Sequence, residues 1–373
     1  MLGLAVRNPD AEPRSIAPRA ESIGSRLQNA DSAQKYCADP TLVAPEPEMR
    51  ASAGTNGRSS PPAQNSRLDV LIATYRRPEL LRRLLVSLRG EARQLAEVVV
   101  ASPDRLNGIE ELIKAERAHL PGLRLFLAPS AAKAGSLNAM ASDTHSPNLA
   151  FLDDDVEVQR GWAAGFLEQM EGKTAAAFQG RIQLPPCPAN QQDARELARC
   201  FGTHPMVDMG SEPCSRRKLT GANFALRRSM FERLGGFDSR LGPGASGLCE
   251  DTDLGLRLRA RDENILYVPK ASVVHAWFPE RATQSYQREY FTRLGRSRWI
   301  MKGGPAWPRV LPDLLYAHAA EFVAKLAGRE PLLIHRRGRL FHYQAMLACA
   351  LRRDPVLTEF SGLSSGVRAA SGK

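Results

Sequence analysis

Two carboxylate clusters carry most of the chemistry legible in this chain. Asp153-Asp154-Asp155 directly follows the apolar run Leu149-Ala-Phe-Leu152, and Cys249-Glu250-Asp251-Thr252-Asp253 lies about 95 residues downstream. Three adjacent carboxylates repel one another and resist desolvation, so ending a core strand with them is costly unless a cation neutralises them. Oxygen ligands of this type suit Mg²⁺ or Mn²⁺, which use one or two carboxylates and fill the remaining positions with phosphate and water. A solvated acidic turn reads the same way in an isolated triplet. In the second cluster, Asp251 and Asp253 at the start of a helix match the helix dipole as simple caps, or one of them serves as a general base opposite a metal-bound nucleotide.

The surrounding elements are those of an α/β domain. Leu68-Asp-Val-Leu-Ile-Ala-Thr74 reads as a buried strand, and Leu80, Leu81, Leu84, Leu85 and Leu88 mark one face of a helix with Pro78 in its first turn. Strands follow at Glu97–Val100 and Leu123–Ala128, with a helix around 109–118 between them. Ala134-Gly-Ser-Leu-Asn138 opens another helix, and Leu149–Leu152 is a further buried strand. This alternation implies βαβ units and a mostly parallel sheet that binds ligands at the carboxyl ends of its strands. Beyond Trp162 we expect a strand over 174–184 and an irregular stretch over 185–218. A strand at Asn223–Leu226, helices at Ser229–Leu234 and Thr252–Arg261, a strand at Ile265–Val268 and helical structure from 285 to about 351 complete the expectation.

With the order of these segments in view, the chain resembles the family 2 glycosyltransferases, inverting enzymes of the GT-A fold. The resemblance rests on Leu68-Asp-Val-Leu-Ile-Ala-Thr-Tyr-Arg-Arg-Pro78, Phe151-Leu-Asp-Asp-Asp-Val156, Gly221-Ala-Asn-Phe-Ala-Leu-Arg-Arg228, Leu234-Gly-Gly-Phe-Asp238, Glu250-Asp-Thr-Asp-Leu254 and Val268-Pro269 through His275. It implies a Rossmann-like central sheet over 67–280, preceded by an extension (1–66) and followed by a basic helical extension (281–373). It also implies the roles of individual residues. Ala73, Thr74 and Tyr75 would hold the nucleotide base, and Lys133 and Asn138 would approach the diphosphate. Asp153 and Asp154 would sit against the nucleotide, Asp153 touching ribose or metal. Asp155 and His275 would complete the metal site, Gly221, Ala222 and Asn223 would line the sugar and acceptor pocket, and Asp251 would be the base beside Glu250. Asp238 and Glu250 would reach the acceptor, whereas Phe237 is read as packing. Ser102 stands where the family usually carries an acid that bonds uracil, which weakens the case for UDP; a UDP-sugar is still favoured, and GDP and dTDP donors stay open. The cofactor expected is Mn²⁺ or Mg²⁺, and the acceptor a glycan or lipid-linked intermediate.

The net charge of +11 would suit a nucleic-acid-binding protein. Its distribution does not: residues 281–373 hold 16 bases and 6 acids, and the preceding 280 residues hold 35 and 34. No helix-turn-helix, zinc-finger or aromatic-basic sheet motif is present, so no nucleic-acid partner is expected. Arg293 or Arg296 could clamp the donor diphosphate. Arg336, Arg337 and Arg339, followed by Leu340, Phe341, Tyr343, Met346 and Leu347, suggest a helix that lies on an anionic membrane surface or packs its apolar face on the domain. A catalytically inactive nucleotide-sugar-binding protein would keep the fold without the carboxylates, and both clusters are intact. Residues 1–66, with eight prolines, eight serines and one aromatic, are expected to lack a packed core. Without an apolar run of roughly 20 residues or a signal-peptide core, the chain reads as cytoplasmic, with contact at the inner face of the membrane left open. Its six cysteines read as reduced thiols, and Cys187, Cys200, His204 and Cys214 match no common zinc spacing.

Overall fold

The computed structural model describes residues 67–103, 108–128, 131–171, 175–187, 189–328, 330–354 and 356–357. The 1–66 extension lies outside them. Among the described residues, nine strands form one sheet in the order β3-β2-β1-β4-β8-β6-β9-β5, with β7 pairing β9. The strands are β1 Leu68–Ala73, β2 Leu95–Ser102, β3 Leu123–Leu127, β4 Asn148–Asp153, β5 Val156–Val158, β6 Ala177–Gln183, β7 Cys214–Arg216, β8 Asn223–Arg227 and β9 Ile265–His275. Strands β3, β2, β1, β4, β6 and β9 run one way and β8, β5 and β7 the other. The sheet is therefore mostly parallel, as the alternation of elements predicts.

Residues alternate between the two faces of each strand, and so do the two cores. Val70 and Ile72 of β1 pack with Leu81, Leu84, Leu85 and Leu88 of helix α1 (Pro78–Leu88), Ile109 of α2 (Ile109–Glu116) and Trp162 and Phe166 of α4 (Trp162–Met170). Leu71 faces the other way, toward Leu137 and Met140 of α3 (Lys133–Ser142), Phe231 of α6 (Arg228–Arg233) and Leu254 and Leu258 of α7 (Glu250–Arg259). Covered on both faces, β1 and β4 can be continuously apolar until their carboxyl ends, where the polar residues emerge.

Two departures from the sequence reading have local causes. The segment 185–218 contains helix α5 (Gln192–Phe201), whose amphipathic turns follow the helix-breaking Pro-Cys-Pro run. Strand β9 does not stop at Val268. It continues through Pro269 to His275 because its register against β6 shifts between Gly180/Val268 and Arg181/Ser272, so the proline falls within a bulge. That continuation delivers His275 to the turn after β4. The helical region expected from 285 to about 351 comprises α8 (Gln284–Met301), α9 (Trp307–Leu326) and α10 (Glu330–Ala350), with α10 packed against both α8 and α9. A Cβ on Gly295 would lie 2.2 Å from the His342 carbonyl oxygen, so only glycine lets α8 and α10 cross this closely.

Asn223 locks the sheet beneath the site. It is fully buried, accepts from Trp162 Nε1 at 2.9 Å, and donates through Nδ2 to the carbonyls of Ala271 (2.8 Å) and Arg181 (3.0 Å). Asn223→Ala leaves an indole donor and carbonyls unpaired in the core, and is expected to lower unfolding stability by about 2–4 kcal/mol in chemical denaturation.

Candidate active site

The aspartate triplet is a built turn. Asp153 is the last residue of β4, and Asp154 and Asp155 form the turn into β5. The Asp153 N–H donates to the Ala222 carbonyl (3.4 Å) and the Ala276 N–H donates to the Asp155 carbonyl (2.8 Å), which ties the turn to the ends of β8 and β9. Both carboxylates of the turn are buried. Asp154 accepts from Thr74 Oγ1 at 2.7 Å and lies 3.4 Å from Arg77 Nη1. Burial, reinforced by the charge of Asp155, pushes Asp154 up to about 6.

Asp155 is arranged differently. Its Oδ2 lies 3.3 Å from Arg281 Nη2 and 3.5 Å from Arg77 Nη1. Its Oδ1 has no hydrogen-bond partner and lies 3.3 Å from His275 Nε2. The other ring nitrogen, Nδ1, is 2.7 Å from the Ala276 carbonyl and can only donate there. In the neutral ring, Nε2 therefore presents a bare lone pair toward a bare carboxylate oxygen. A divalent cation satisfies both at once, with the histidine oriented by its backbone bond. Among the described residues no three His, Cys, Asp or Glu side chains converge as a closed cage, so further ligands would have to come from phosphate or water.

The second cluster faces this turn across a small pocket lined by Lys133, Asp153, Gly221, Ala222, Glu250 and Asp251 among others. Lys133 bridges the two clusters, with Nζ 2.5 Å from Asp153 Oδ1 and 3.0 Å from Glu250 Oε1. Burial alone would lower its affinity for a proton, but the Asp153 and Glu250 carboxylates outweigh burial and hold the ammonium well above its ordinary value. Asp251 Oδ2 accepts from the Gly221 N–H, and Oδ1 from the Thr252 N–H at 2.6 Å. Burial, then the charge of Glu250, overcomes these bonds and pushes Asp251 up to about 6. Ala222 and Cys249, on either side of this contact, both have φ of +78°, a left-handed conformation that non-glycine residues adopt only under constraint. Asp253 plays a separate part: it binds Arg257 Nη2 at 2.7 Å, and Arg257 Nη1 donates to the carbonyls of Leu234 and Gly236.

Several expected contacts are placed otherwise. Asn138 commits both ends of its amide to the Phe237 backbone, at 2.9 and 2.8 Å, so it holds the Gly235–Asp238 loop rather than a diphosphate. Asn223 is equally committed within the sheet and cannot line a sugar pocket. Arg296 is buried in α8, paired through Nε with both oxygens of Asp354 (2.9 and 3.0 Å) and through Nη1 with the Ser246 carbonyl, so it clamps the helical extension and not a donor. Asp153 is bound to Lys133 instead of joining Asp155 and His275. Asp154 is held by Thr74 and Arg77. Ser102 ends β2 fully buried, Ala73 ends β1, and Tyr75 is exposed with Arg76 over its ring. Asp238 is held ionised by Arg240, whose Nη2 lies 2.7 Å away. His204 stacks on Trp277 at 4.6 Å and accepts from the Phe278 N–H, which places it beside His275 and in no zinc cluster; the Cys200 side chain lies outside the described residues. Two residues escaped the sequence reading. Arg77 and Arg281 flank Asp155, and the only signal for them was a basic residue shortly after each strand end.

A family model described as glycosyl transferase family 2 matches residues 69–235. The match makes residues 69–235 a glycosyl transferase family 2 domain. Among curated relatives, this glycosyltransferase is 28% identical over 240 residues to the succinoglycan biosynthesis protein ExoM of Rhizobium meliloti, covering 63% of this chain and 75% of ExoM. It is 28% identical over 231 residues to the pre-mycofactocin glycosyltransferase of Mycobacterium tuberculosis, covering 58% of this chain and 44% of that protein. It thus spans under half the length of the mycobacterial enzyme. Among solved structures it resembles the mannosyltransferase PcManGT from Pyrobaculum calidifontis in complex with GDP-Man and Mn²⁺, with 18% identity, TM-score 0.46, and coverage of 94% of this chain and 89% of that one. The matched 69–235 segment contains the aspartate turn and ends before Asp251 and His275, which enter the site from α7 and β9.

Proposed function

We propose that this glycosyltransferase moves a sugar from a nucleoside-diphosphate sugar to a hydroxyl group with inversion, using a divalent cation at Asp155 and His275. The observation that carries this reading is the pairing of two unlike carboxylate environments: Asp155, bare at Oδ1 beside His275 Nε2 in the turn that follows Asp153, and Asp251, oriented by two backbone N–H groups and raised toward neutrality in the pocket that Asp153 also lines. One oxygen and one imidazole favour Mn²⁺ over Mg²⁺. When bound, the ion supplies Lewis-acid stabilisation of the leaving diphosphate. Lys133, which lines the pocket, and Arg77 and Arg281, which flank Asp155, supply fixed positive charge. Asp251 removes the acceptor proton as the hydroxyl attacks the anomeric carbon, and the leaving group departs from the opposite face in the same displacement. The relation to ExoM favours a glycan or lipid-linked acceptor of polysaccharide assembly, and UDP remains the favoured nucleotide over GDP or dTDP.

A thermal-shift panel of nucleotide sugars with and without Mn²⁺ tests this reading, because a ligand that binds only the folded state raises the apparent midpoint. Stabilisation by one nucleotide class in the presence of Mn²⁺ is expected, and the absence of any metal-dependent shift across the panel contradicts it. A pH dependence follows from Asp251. With its folded value at about 6, above the unfolded carboxylate value, the native state holds a proton that the unfolded chain has already released. Raising the pH through this window therefore removes stability while creating the base. Turnover is expected to climb through pH 6 and level off above it, and a profile flat from pH 5 to 8 (about three decades of proton activity) would count against Asp251 as the base.

A further inference from the structure

Helix α9 buries one face and leaves a second apolar face uncovered. Val310, Leu314, Ala317 and Ala324 are buried on the side that meets α10. On the opposite side Leu315, Tyr316, Phe322, Val323 and Leu326 are each at least 59% exposed. Their positions fall along one helical stripe, which Pro312 and Ala319 continue without a charge. A helix that is apolar on both faces belongs in a core or against a membrane, and a contiguous row of large exposed apolar side chains marks a contact surface. Trp307, 48% exposed, lies in its first turn.

The charge of the extension points to the occupant. On α9 itself Arg309 and Lys325 are exposed together with Asp313, while Glu321 is paired with Arg337 Nε at 3.2 Å. The extension as a whole has 16 bases and 6 acids. A second copy docked through this stripe would bring two such extensions together, whereas an anionic bilayer carries the opposite charge. We infer that α9 is the surface by which this protein docks on an anionic lipid bilayer, lying in the headgroup plane with Leu315, Phe322, Val323 and Leu326 turned into the acyl boundary. No helix among the described residues is long and apolar enough to cross a membrane, so this contact is peripheral. The helix that holds Arg336, Arg337 and Arg339, read from the sequence as lying on a membrane or packing its apolar face, is α10; it packs against both α8 and α9, with Ala345, Met346 and Cys349 buried. The inference rests on α9 and stands apart from the glycosyl-transfer reading, so either can fail without the other.

Sedimentation of the full chain with phosphatidylcholine vesicles, with and without phosphatidylglycerol, tests it. Binding is expected with phosphatidylglycerol, accompanied by a blue shift of Trp307 emission, and is expected to fall on the order of tenfold or more in Leu315→Ser/Phe322→Ser/Leu326→Ser. Met209→Ser, at a comparably exposed apolar residue outside α9, should leave binding unchanged. Arg309→Glu/Lys325→Glu keeps the stripe intact and should reduce the preference for phosphatidylglycerol, also by about tenfold. Equal sedimentation of the serine variant, or no binding to either vesicle, overturns the inference. So does a dimer in sedimentation velocity without lipid that the serine variant abolishes, because it gives the stripe to a second copy.

Discussion

Asp251→Asn is expected to reduce glycosyl transfer by on the order of a hundred- to ten-thousand-fold while nucleotide binding persists. The amide has the shape of the carboxylate and can still accept one of the two backbone hydrogen bonds from Gly221 and Thr252, but it cannot take up the acceptor proton. The fold should tolerate the change. Asp251 is a carboxylate whose ionisation burial and Glu250 both oppose, so removing its charge relieves the site at neutral pH and offsets the lost hydrogen bond. Equilibrium binding of the nucleotide and turnover, measured on one preparation, separate this outcome from misfolding. Wild-type turnover by the variant rules out Asp251 as the base. Asp253 provides the internal comparison, because its bond to Arg257 makes it a support for the Leu234–Gly236 backbone rather than a proton acceptor.

Asp155→Ala is the second large effect. Losing the carboxylate that faces His275 should weaken Mn²⁺ binding by more than about a hundredfold, since changes to the outer partners of a metal ligand alone cost tenfold to a hundredfold. It also removes the partner of Arg281 and one partner of Arg77, leaving positive charge in place to hold a diphosphate weakly without metal. Calorimetric titration with Mn²⁺ reads the first consequence, and nucleotide titration in the presence of a chelator reads the second. Unchanged Mn²⁺ affinity in the variant would move the metal site elsewhere.

How much of this was legible in the sequence depended on whether a residue's role was set locally. Leu68–Ala73 and Asn148–Asp153 announce buried strands by continuous apolar content, and acids that end such a strand or open a helix are conspicuous against it. The aspartate triplet and Asp251 therefore stand out as candidates, and the resemblance adds His275. Partnership across the fold was not legible. Asn138 and Asn223 have side chains that suit a diphosphate or a sugar equally well, and only the fold reveals that Phe237 in one case, and Trp162, Arg181 and Ala271 in the other, already occupy them. Arg296 fails for the same reason, since Asp354 lies 58 residues away in sequence. Arg77 and Arg281 went unnoticed because a basic residue in a loop has no periodicity to betray it. The exposed stripe of α9 was hidden too: apolar residues spread around a helix say that it is covered, and only the packing of α10 shows which face is not.

A single displacement with Asp251 as base leaves its mark in the configuration of the product. Time-resolved proton NMR of the transferred sugar, started from the nucleotide sugar identified by the thermal panel, reports the anomeric coupling before mutarotation or further reaction can blur it. An anomeric configuration opposite to that of the donor is expected from the first detectable product. Retained configuration would contradict it, because retention requires two displacements or attack from the leaving-group face, and neither follows from a single displacement with Asp251 as base.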